Sequence, residues 1–294
     1  MSMAPALSVA LRLGRISNLP TVWTNTLVGV TLAGGASLHV RVLVLLLALS
    51  LFYVGGMYLN DAFDREFDAR TRPDRPIPAG EVTASTVFGS GFGMLGAGLV
   101  LLVVVGYAFA EGTGWLAPTS GLVLAGAVVL YDSYHKNNPL SPLLMGVCRM
   151  LVYITSALAV SAGLSSALVV AALVLLSYLI GLTYVAKREH LNELASAWPL
   201  AALAVPLIYG VVLALGMPLV WAFLLALTGW TLYALWLLHR RGPGDVQRAV
   251  ASLIAGIPLL DAVILCGAGA VELALLAVGA FLLTLLLQRV VPGT

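Results

Sequence analysis

Charge is scarce in this chain. Only 10% of its 294 residues are Asp, Glu, Lys or Arg, against about 25% in an ordinary soluble domain. That shortage excludes a cytosolic enzyme, a disordered segment and a nucleic-acid-binding module, each of which needs a charged surface. Cysteine is scarcer still. Cys148 and Cys266 stand far apart inside apolar runs, so they form neither a disulfide framework nor a metal-binding pattern and read as small core residues. Apolar side chains fill the place of what is missing, at 61% of the sequence, and the mean hydropathy is +1.02. At ~20 residues per membrane crossing, the chain holds nine or ten helices and no separate soluble domain. Residues 1–294 are therefore expected to form one all-α, polytopic membrane bundle with a central cavity capped by loops.

Charge-free stretches mark the crossings: 16–38, 42–60, 82–110, 112–131, 150–186 divided near Gly163, and 194–238 divided at Gly216-Met-Pro218, with the helix that ends near Gly163 expected to begin before Arg149, at about Leu140. Two weaker runs follow, 249–267, which contains Asp261, and 273–288. Residues 4–15 suit a short helix at the membrane surface. Arg12 and Arg15 precede an apolar stretch too long for the core of a cleaved leader. With the N-terminus cytoplasmic, 13 of the 15 basic residues fall on one side and only Arg41 falls in an opposite loop, Arg149 lying within a helix. This asymmetry supports ten crossings, places the acidic motifs on the cytoplasmic side and suits a plasma-membrane protein.

The polar residues are concentrated. Asn60-Asp61-x-x-Asp64-x-x-x-Asp68 directly follows the second crossing. If the helix continues, the three carboxylates share one face, and their repulsion calls for a cation. Magnesium suits such a set, because it takes a few carboxylate oxygens and keeps waters or substrate phosphates. The plainer alternative is a solvated loop with Arg65 and Arg70 as ion-pair partners. The loop then runs Arg72-Pro-x-Arg75-Pro-Ile-Pro-x-Gly80. Its prolines stiffen the backbone, and its arginines suit either a diphosphate clamp or a topology-setting charge.

This extended string resembles the first aspartate-rich motif of the UbiA superfamily of intramembrane prenyltransferases. The resemblance extends to the helix layout of nearly the whole chain. Within that superfamily, Gly146-x-x-Arg149 and Leu260-Asp261-Ala262 are similar to the EboC-like branch. The resemblance implies a second acidic motif, ordinarily DxxxD, after the sixth crossing. Here Lys187-Arg188-Glu189-His-Leu-Asn-Glu193 supplies ExxxE instead, which keeps the carboxylates on one helical face but on longer stems. It also implies that magnesium is held by Asn60, Asp61, Asp64, Asp68, Glu189 and Glu193. An isoprenyl diphosphate would be bound by Arg72, Arg75, Lys136, Lys187 and Arg188, with Tyr131 facing the allylic group. The string Tyr131-Asp-Ser-Tyr134-His135-Lys136 loosely matches the family's tyrosine-and-lysine loop.

Arg149 and Asp261 are expected to face the bundle interior, paired with each other or with Arg149 reaching the diphosphate. Phe52, Tyr53, Tyr58, Tyr153 and Tyr178 are candidates to stabilise an allylic cation. Asn18 and Asn25 read as cavity groups or interhelical bonds. Gly89-x-x-x-Gly93 reads as a close helix-packing site. The expected activity is transfer of an isoprenyl group to a small lipophilic or aromatic acceptor within the membrane, with lipid and no nucleic acid as surroundings. The rivals are a small-molecule transporter, a catalytically degenerate relative, and a CDP-alcohol phosphotransferase, whose DGxxAR string is absent from this sequence.

Overall fold

The computed structural model describes residues 5–35, 39–136, 138–186 and 198–293. Thirteen α-helices and no strand are found among them: α1 Pro5–Leu13, α2 Pro20–Leu32, α3 Val40–Phe63, α4 Arg65–Thr71, α5 Ala84–Tyr107, α6 Leu116–Tyr134, α7 Ser141–Leu158, α8 Ser166–Ala186, α9 Ala204–Gly216, α10 Val220–Arg240, α11 Asp245–Ala255, α12 Ile257–Gly267 and α13 Val271–Gln288. Eight segments are long and apolar enough to cross a membrane, α11 and α12 counting as one. The shorter α2 and α9, 13 residues each, stand where the sequence placed the first and seventh crossings. The chain is an integral, multi-pass membrane protein.

The first pass is shorter than its apolar run suggests. Pro20 has no N–H and sits where a helix starts. At the other end Gly34 adopts φ +77° and closes the helix. A 3-10 turn at Ile16–Asn18 precedes it. The ninth pass is broken at Gly256-Ile257-Pro258 into α11 and α12. The break lies before Asp261 and has a cause that the charge alone does not reveal: Pro258 removes a donor from the backbone ladder. Nearby carbonyls are then met by side chains. Tyr178 Oη donates to Leu253 O at 2.8 Å and Trp230 Nε1 to Ser252 O at 2.7 Å.

Two apolar cores share α2 and α7. Val22, Val30, Val152 and Ala159 pack with α3, α5 and α6, while Val28, Tyr153 and Ala157 pack with α8 to α13. α3 and α5 approach most closely through small residues, but not through Gly89 and Gly93, at which an added Cβ would meet nothing. Gly91 faces inward instead, with Val87, Leu95, Gly98 and Leu102. Two residues turn an α-helix by about 200°, so Gly89 and Gly93 point away from whatever face Gly91 presents. A Cβ on Gly91 would stand 2.8 Å from the Leu59 side chain, and one on Gly55 would stand 2.9 Å from Gly91 O.

The expected-outside charges meet at the far end of the bundle, where Arg41 pairs with Glu111 and donates to its carbonyl. Arg12 pairs with Glu81 at the opposite end, which also carries the C-termini of α3, α6, α8 and α10. Deeper in the bundle, Arg149 and Asp261 do not touch directly. Asn25 joins them, accepting from Arg149 Nη1 at 3.2 Å and donating to Asp261 at 2.8 Å, while Tyr153 donates to the other carboxylate oxygen. Asn18 ties down the chain end, donating to Gly293 O at 2.8 Å.

The broken ninth pass yields a stability test. A Cβ at Gly256 would lie 2.5 Å from Tyr178 Oη, so Gly256→Ala must displace that hydroxyl. Tyr178→Phe leaves Leu253 O without its side-chain donor at a cost of about 1–3 kcal/mol. Both variants should melt below the parent protein in detergent, and combining them should cost less than the two changes summed, because they disturb one hydrogen bond. Strict additivity in thermal-shift measurements would show that the two positions act separately.

Candidate functional site

The helical path does run through the first acidic motif. α3 ends at Phe63, Asp64 keeps α-helical dihedrals, and α4 begins at once. The amide of Asp64 bonds Asn60 O and that of Asp68 bonds Asp64 O. Asp61, Asp64 and Asp68 consequently lie on one side, and all three are buried at 6%, 5% and 1% exposure.

Buried carboxylates at this spacing need counter-charges, and the fold supplies them. Arg75 Nη1 bridges Asp61 at 2.9 Å and Asp68 at 3.0 Å. Arg15 Nη2 reaches Asp61 at 3.0 Å and Asn60 Oδ1 at 3.2 Å. Lys136 Nζ stands 2.8 Å from Asp64, with His135 Nε2 at 3.3 Å from the same oxygen. Arg65 and Arg70 take no part in the cluster: Arg65 pairs with exposed Glu66 and Arg70 is exposed. The basic loop thus contributes through Arg75, and Arg72 lines the cavity beside it.

Electrostatics separates Asp64 from Asp68. Burial pushes Asp64 upward, but the hydrogen bond and charge of His135, and then Lys136, outweigh it and hold this carboxyl below its ordinary value. Burial also pushes Asp68 upward. Arg75 opposes that, Asp64 and Asp61 reinforce it, and the net direction is up.

Asn60, Asp64, Arg75 and Lys136 of this cluster line the mouth of a cavity of about 770 Å³ that runs down between the two cores, while Asp61 and Asp68 lie behind that lining. Its deeper wall is apolar, with Leu49, Phe52, Leu124, Val128, Val152 and Leu179. Tyr53 and Tyr131 also line it, whereas Tyr58, Tyr153 and Tyr178 do not. Those three donate hydrogen bonds to Ala10 O, Asp261 and Leu253 O. Tyr131 stacks on His135 with ring centroids 4.9 Å apart. Arg149 enters the cavity well below the acids. Its guanidinium lies 5.4 Å over the Tyr53 ring, and Tyr53 precedes Asp61 by eight residues, about 12 Å along a helix. Arg149 is therefore a group of the deep cavity rather than a neighbour of the carboxylates. Lys187, Arg188, Glu189 and Glu193 lie outside the described residues.

Three site residues escape the sequence reading. Arg15 contacts Asp61 across 46 positions, helped by a left-handed backbone at φ 41°. His135 sits beside Lys136 in the string already singled out. Asp132 is 3% exposed and accepts from Asn60 Nδ2 at 3.1 Å.

The donors suit a hard divalent cation. They are oxygens, and Asp68 Oδ1 and Asp132 Oδ2 are buried without a hydrogen-bond partner among the described residues. No three acidic or histidine side chains converge on one point among those residues, because Arg15, Arg75 and Lys136 stand among the carboxylates.

Known proteins share sequence and fold with this chain. The model of the UbiA prenyltransferase family matches residues 22–257. A digeranylgeranylglyceryl phosphate synthase of Metallosphaera sedula is 39% identical over 61 residues, which is 21% of this chain and only 22% of that relative's length. A solved structure of digeranylgeranylglyceryl phosphate synthase superposes with a TM-score of 0.60 at 18% identity, covering 90% of this chain and 99% of the other. A UbiA homolog from Archaeoglobus fulgidus, solved with DMAPP and Mg2+ bound, gives a TM-score of 0.56 at 15% identity over 84% of this chain and 98% of its own.

The opposed shifts of Asp64 and Asp68 predict opposite responses to neutralisation. Asp64 has a lowered folded value, so its ionised form stabilises the fold above the ordinary carboxylate range, and that stability is lost as pH falls through the lowered value. Asp68 has a raised value, so its contribution is present at low pH and is lost as pH rises through that value. At pH 7, Asp64→Asn should lower the melting temperature, and Asp68→Asn should leave it unchanged or raise it. The reverse order in thermal-shift assays would overturn the assignment of counter-ions.

Proposed function

Because the chain belongs to the UbiA prenyltransferase family, we propose that it transfers an isoprenyl group from an isoprenyl diphosphate to a small lipophilic acceptor within the membrane. One observation carries the reading. Buried carboxylates and basic side chains, the two partners that a metal-bound diphosphate requires, meet at the mouth of a long apolar cavity. The cavity can shelter an isoprenoid tail, which has no polar group to satisfy.

Asp61, Asp64, Asp68 and Asn60 would hold magnesium, with Glu189 and Glu193 completing the set. When bound, the ion supplies Lewis-acid stabilisation of the departing diphosphate. Arg75 and Lys136 now sit on carboxylates. On substrate arrival they exchange those partners for diphosphate oxygens, together with Arg72, Lys187 and Arg188. Preorganised cations act where charge develops as the allylic C–O bond breaks. Phe52, Tyr53 and Tyr131 present aromatic faces to the resulting carbocation, and the apolar wall excludes water that would quench it.

The acceptor then attacks from the deeper cavity, where Arg149 and Tyr53 lie. An aromatic acceptor suits the ring of Tyr53. An acceptor of the glyceryl phosphate type, for which the relatives are named, suits the guanidinium. We take the site end as cytoplasmic, from the positive-inside rule.

Purified protein in nanodiscs should release diphosphate from at least one prenyl diphosphate between dimethylallyl and geranylgeranyl, and only with magnesium. Asp64→Asn should abolish release, and Lys136→Ala should slow it roughly 10²-fold. Glu189→Gln combined with Glu193→Gln should raise the magnesium midpoint. Magnesium-independent release, or none with any chain length, would remove the reading. For orientation, a cysteine at position 70, with Cys148 and Cys266 replaced, should label only from the cytoplasm.

A further inference from the structure

Away from the cavity mouth, at the same end of the bundle, α10 and α11 meet in a corner rich in arginine and aromatic rings. Asp245 is fully buried. Arg240 grips it with Nε at 2.8 Å and Nη2 at 2.6 Å, the amide of Gly242 adds a bond at 2.8 Å, and Arg248 Nη1 approaches to 3.5 Å. One carboxylate thus meets two guanidinium groups whose side chains remain 43% and 64% exposed. Arg241, next to them, is exposed and has no ion-pair partner among the described residues. Counting Arg240, Arg241 and Arg248 against Asp245, the corner has an excess of two positive charges among the described residues.

The aromatic half of the corner is equally ordered. Arg240 Cζ lies 4.6 Å over the Trp236 ring, Trp236 stacks with Tyr233 at 6.1 Å, and Tyr233 leans on Trp230 at 5.4 Å. Tyr233 and Trp236 are 42% and 49% exposed on the outward side of α10, among exposed leucines such as Leu232. Rings of this type settle at the level of lipid headgroups. The guanidinium cluster therefore stands where the headgroup phosphates of a bilayer run.

We infer that this corner, Trp236, Arg240, Arg241 and Arg248, is a binding site for the phosphate headgroup of an anionic phospholipid. Two features separate it from a loop that merely sets topology. Asp245 fixes the Arg240 guanidinium through a two-point contact and keeps Arg248 within 3.5 Å, so the remaining N–H groups of Arg240 are preorganised for a phosphate. The Trp236 ring supplies an apolar wall against which the glycerol and upper acyl chain can pack. A zwitterionic lipid offers the same phosphate but brings its own cation into a corner that already has an excess of positive charge. An anionic lipid adds only the missing negative charge.

Trp236 is a built-in reporter. Its emission is isolated as the difference between the parent protein and Trp236→Phe, each in nanodiscs containing lipid with brominated acyl chains, which quench an indole on contact. Brominated phosphatidylglycerol should quench Trp236 more strongly than brominated phosphatidylcholine at equal mole fraction. The preference should fall about five-fold for each arginine charge removed, the equivalent of ~1 kcal/mol per juxtamembrane charge. Arg241→Asn, which suits the left-handed backbone at φ 55°, combined with Arg248→Gln, tests this, and Arg248→Lys should retain most of the preference.

Equal quenching by the two lipids in the parent protein, or an unchanged preference in the double variant, would overturn the site. If the double variant does not survive extraction, salt decides the matter on the unaltered protein. Raising ionic strength from about 0.15 M to about 1 M shortens screening from ~8 Å to ~3 Å, and a preference that persists unaltered would be no charge-based headgroup contact.

Discussion

Three carboxylates packed along about two turns of helix, out of reach of bulk water, are the demand around which this molecule is arranged. Desolvating each ion costs several kcal/mol even after relaxation. The cost is met by cations drawn from three separate parts of the chain: Arg15 before the first pass, Arg75 from the proline-rich loop, and Lys136 after α6. Those segments converge only if α2, α3 and α6 are bundled in the observed order. The ionic cluster and the helix arrangement therefore specify each other. The same demand explains why the loop after α4 is stiff, since a mobile Arg75 would spend its ordering entropy anew at each contact.

Beneath the cluster, the apolar mass divides into two cores that meet along α2 and α7. A helix bundle in lipid gains little from hydrophobic burial and relies on close contact between small residues and on interhelical hydrogen bonds. Both devices appear. Gly55 and Gly91 let α3 and α5 touch, and the series Arg149, Asn25, Asp261 and Tyr153 stitches α7, α2 and α12 together at depth. The break at Pro258 fits the same logic, because irregular backbone in a membrane is tolerated where neighbouring side chains satisfy it.

Local features of the site were legible in the sequence, and features requiring the tertiary fold were not. Asp61, Asp64 and Asp68 could be placed on one face because their spacing follows helical periodicity and the helix continues through them. Arg75 and Lys136 lie in strings whose composition already pointed to an anion. Arg15 was not legible as a site residue: its contact with Asp61 depends on the turn before α2, where the backbone takes a left-handed conformation that no propensity assigns to arginine. Asp132 stands in the string that carries Tyr131 and Lys136, but its part in the site depends on Asn60, 72 positions away, which only the packing of α3 beside α6 brings to it. The glycine pair at 89 and 93 misled because a motif gives spacing along a helix but not its rotation in the bundle. The division at Gly256 did carry a signal, the proline two residues on, which the charge at Asp261 eclipsed.

The internal counter-ions have a consequence for how a ligand is captured. Asp61, Asp64 and Asp68 are matched by Arg15, Arg75 and Lys136, so the contacting groups form a dense multipole with almost no net monopole. A monopole attracts ions across roughly a Debye length, about 8 Å at physiological salt. A multipole of this size fades within a few ångströms. On the proposed function, these six groups would do little to draw a diphosphate out of bulk solvent. They would meet one already carried to them, and an amphiphile anchored by its tail in the surrounding bilayer is carried there by diffusion in two dimensions.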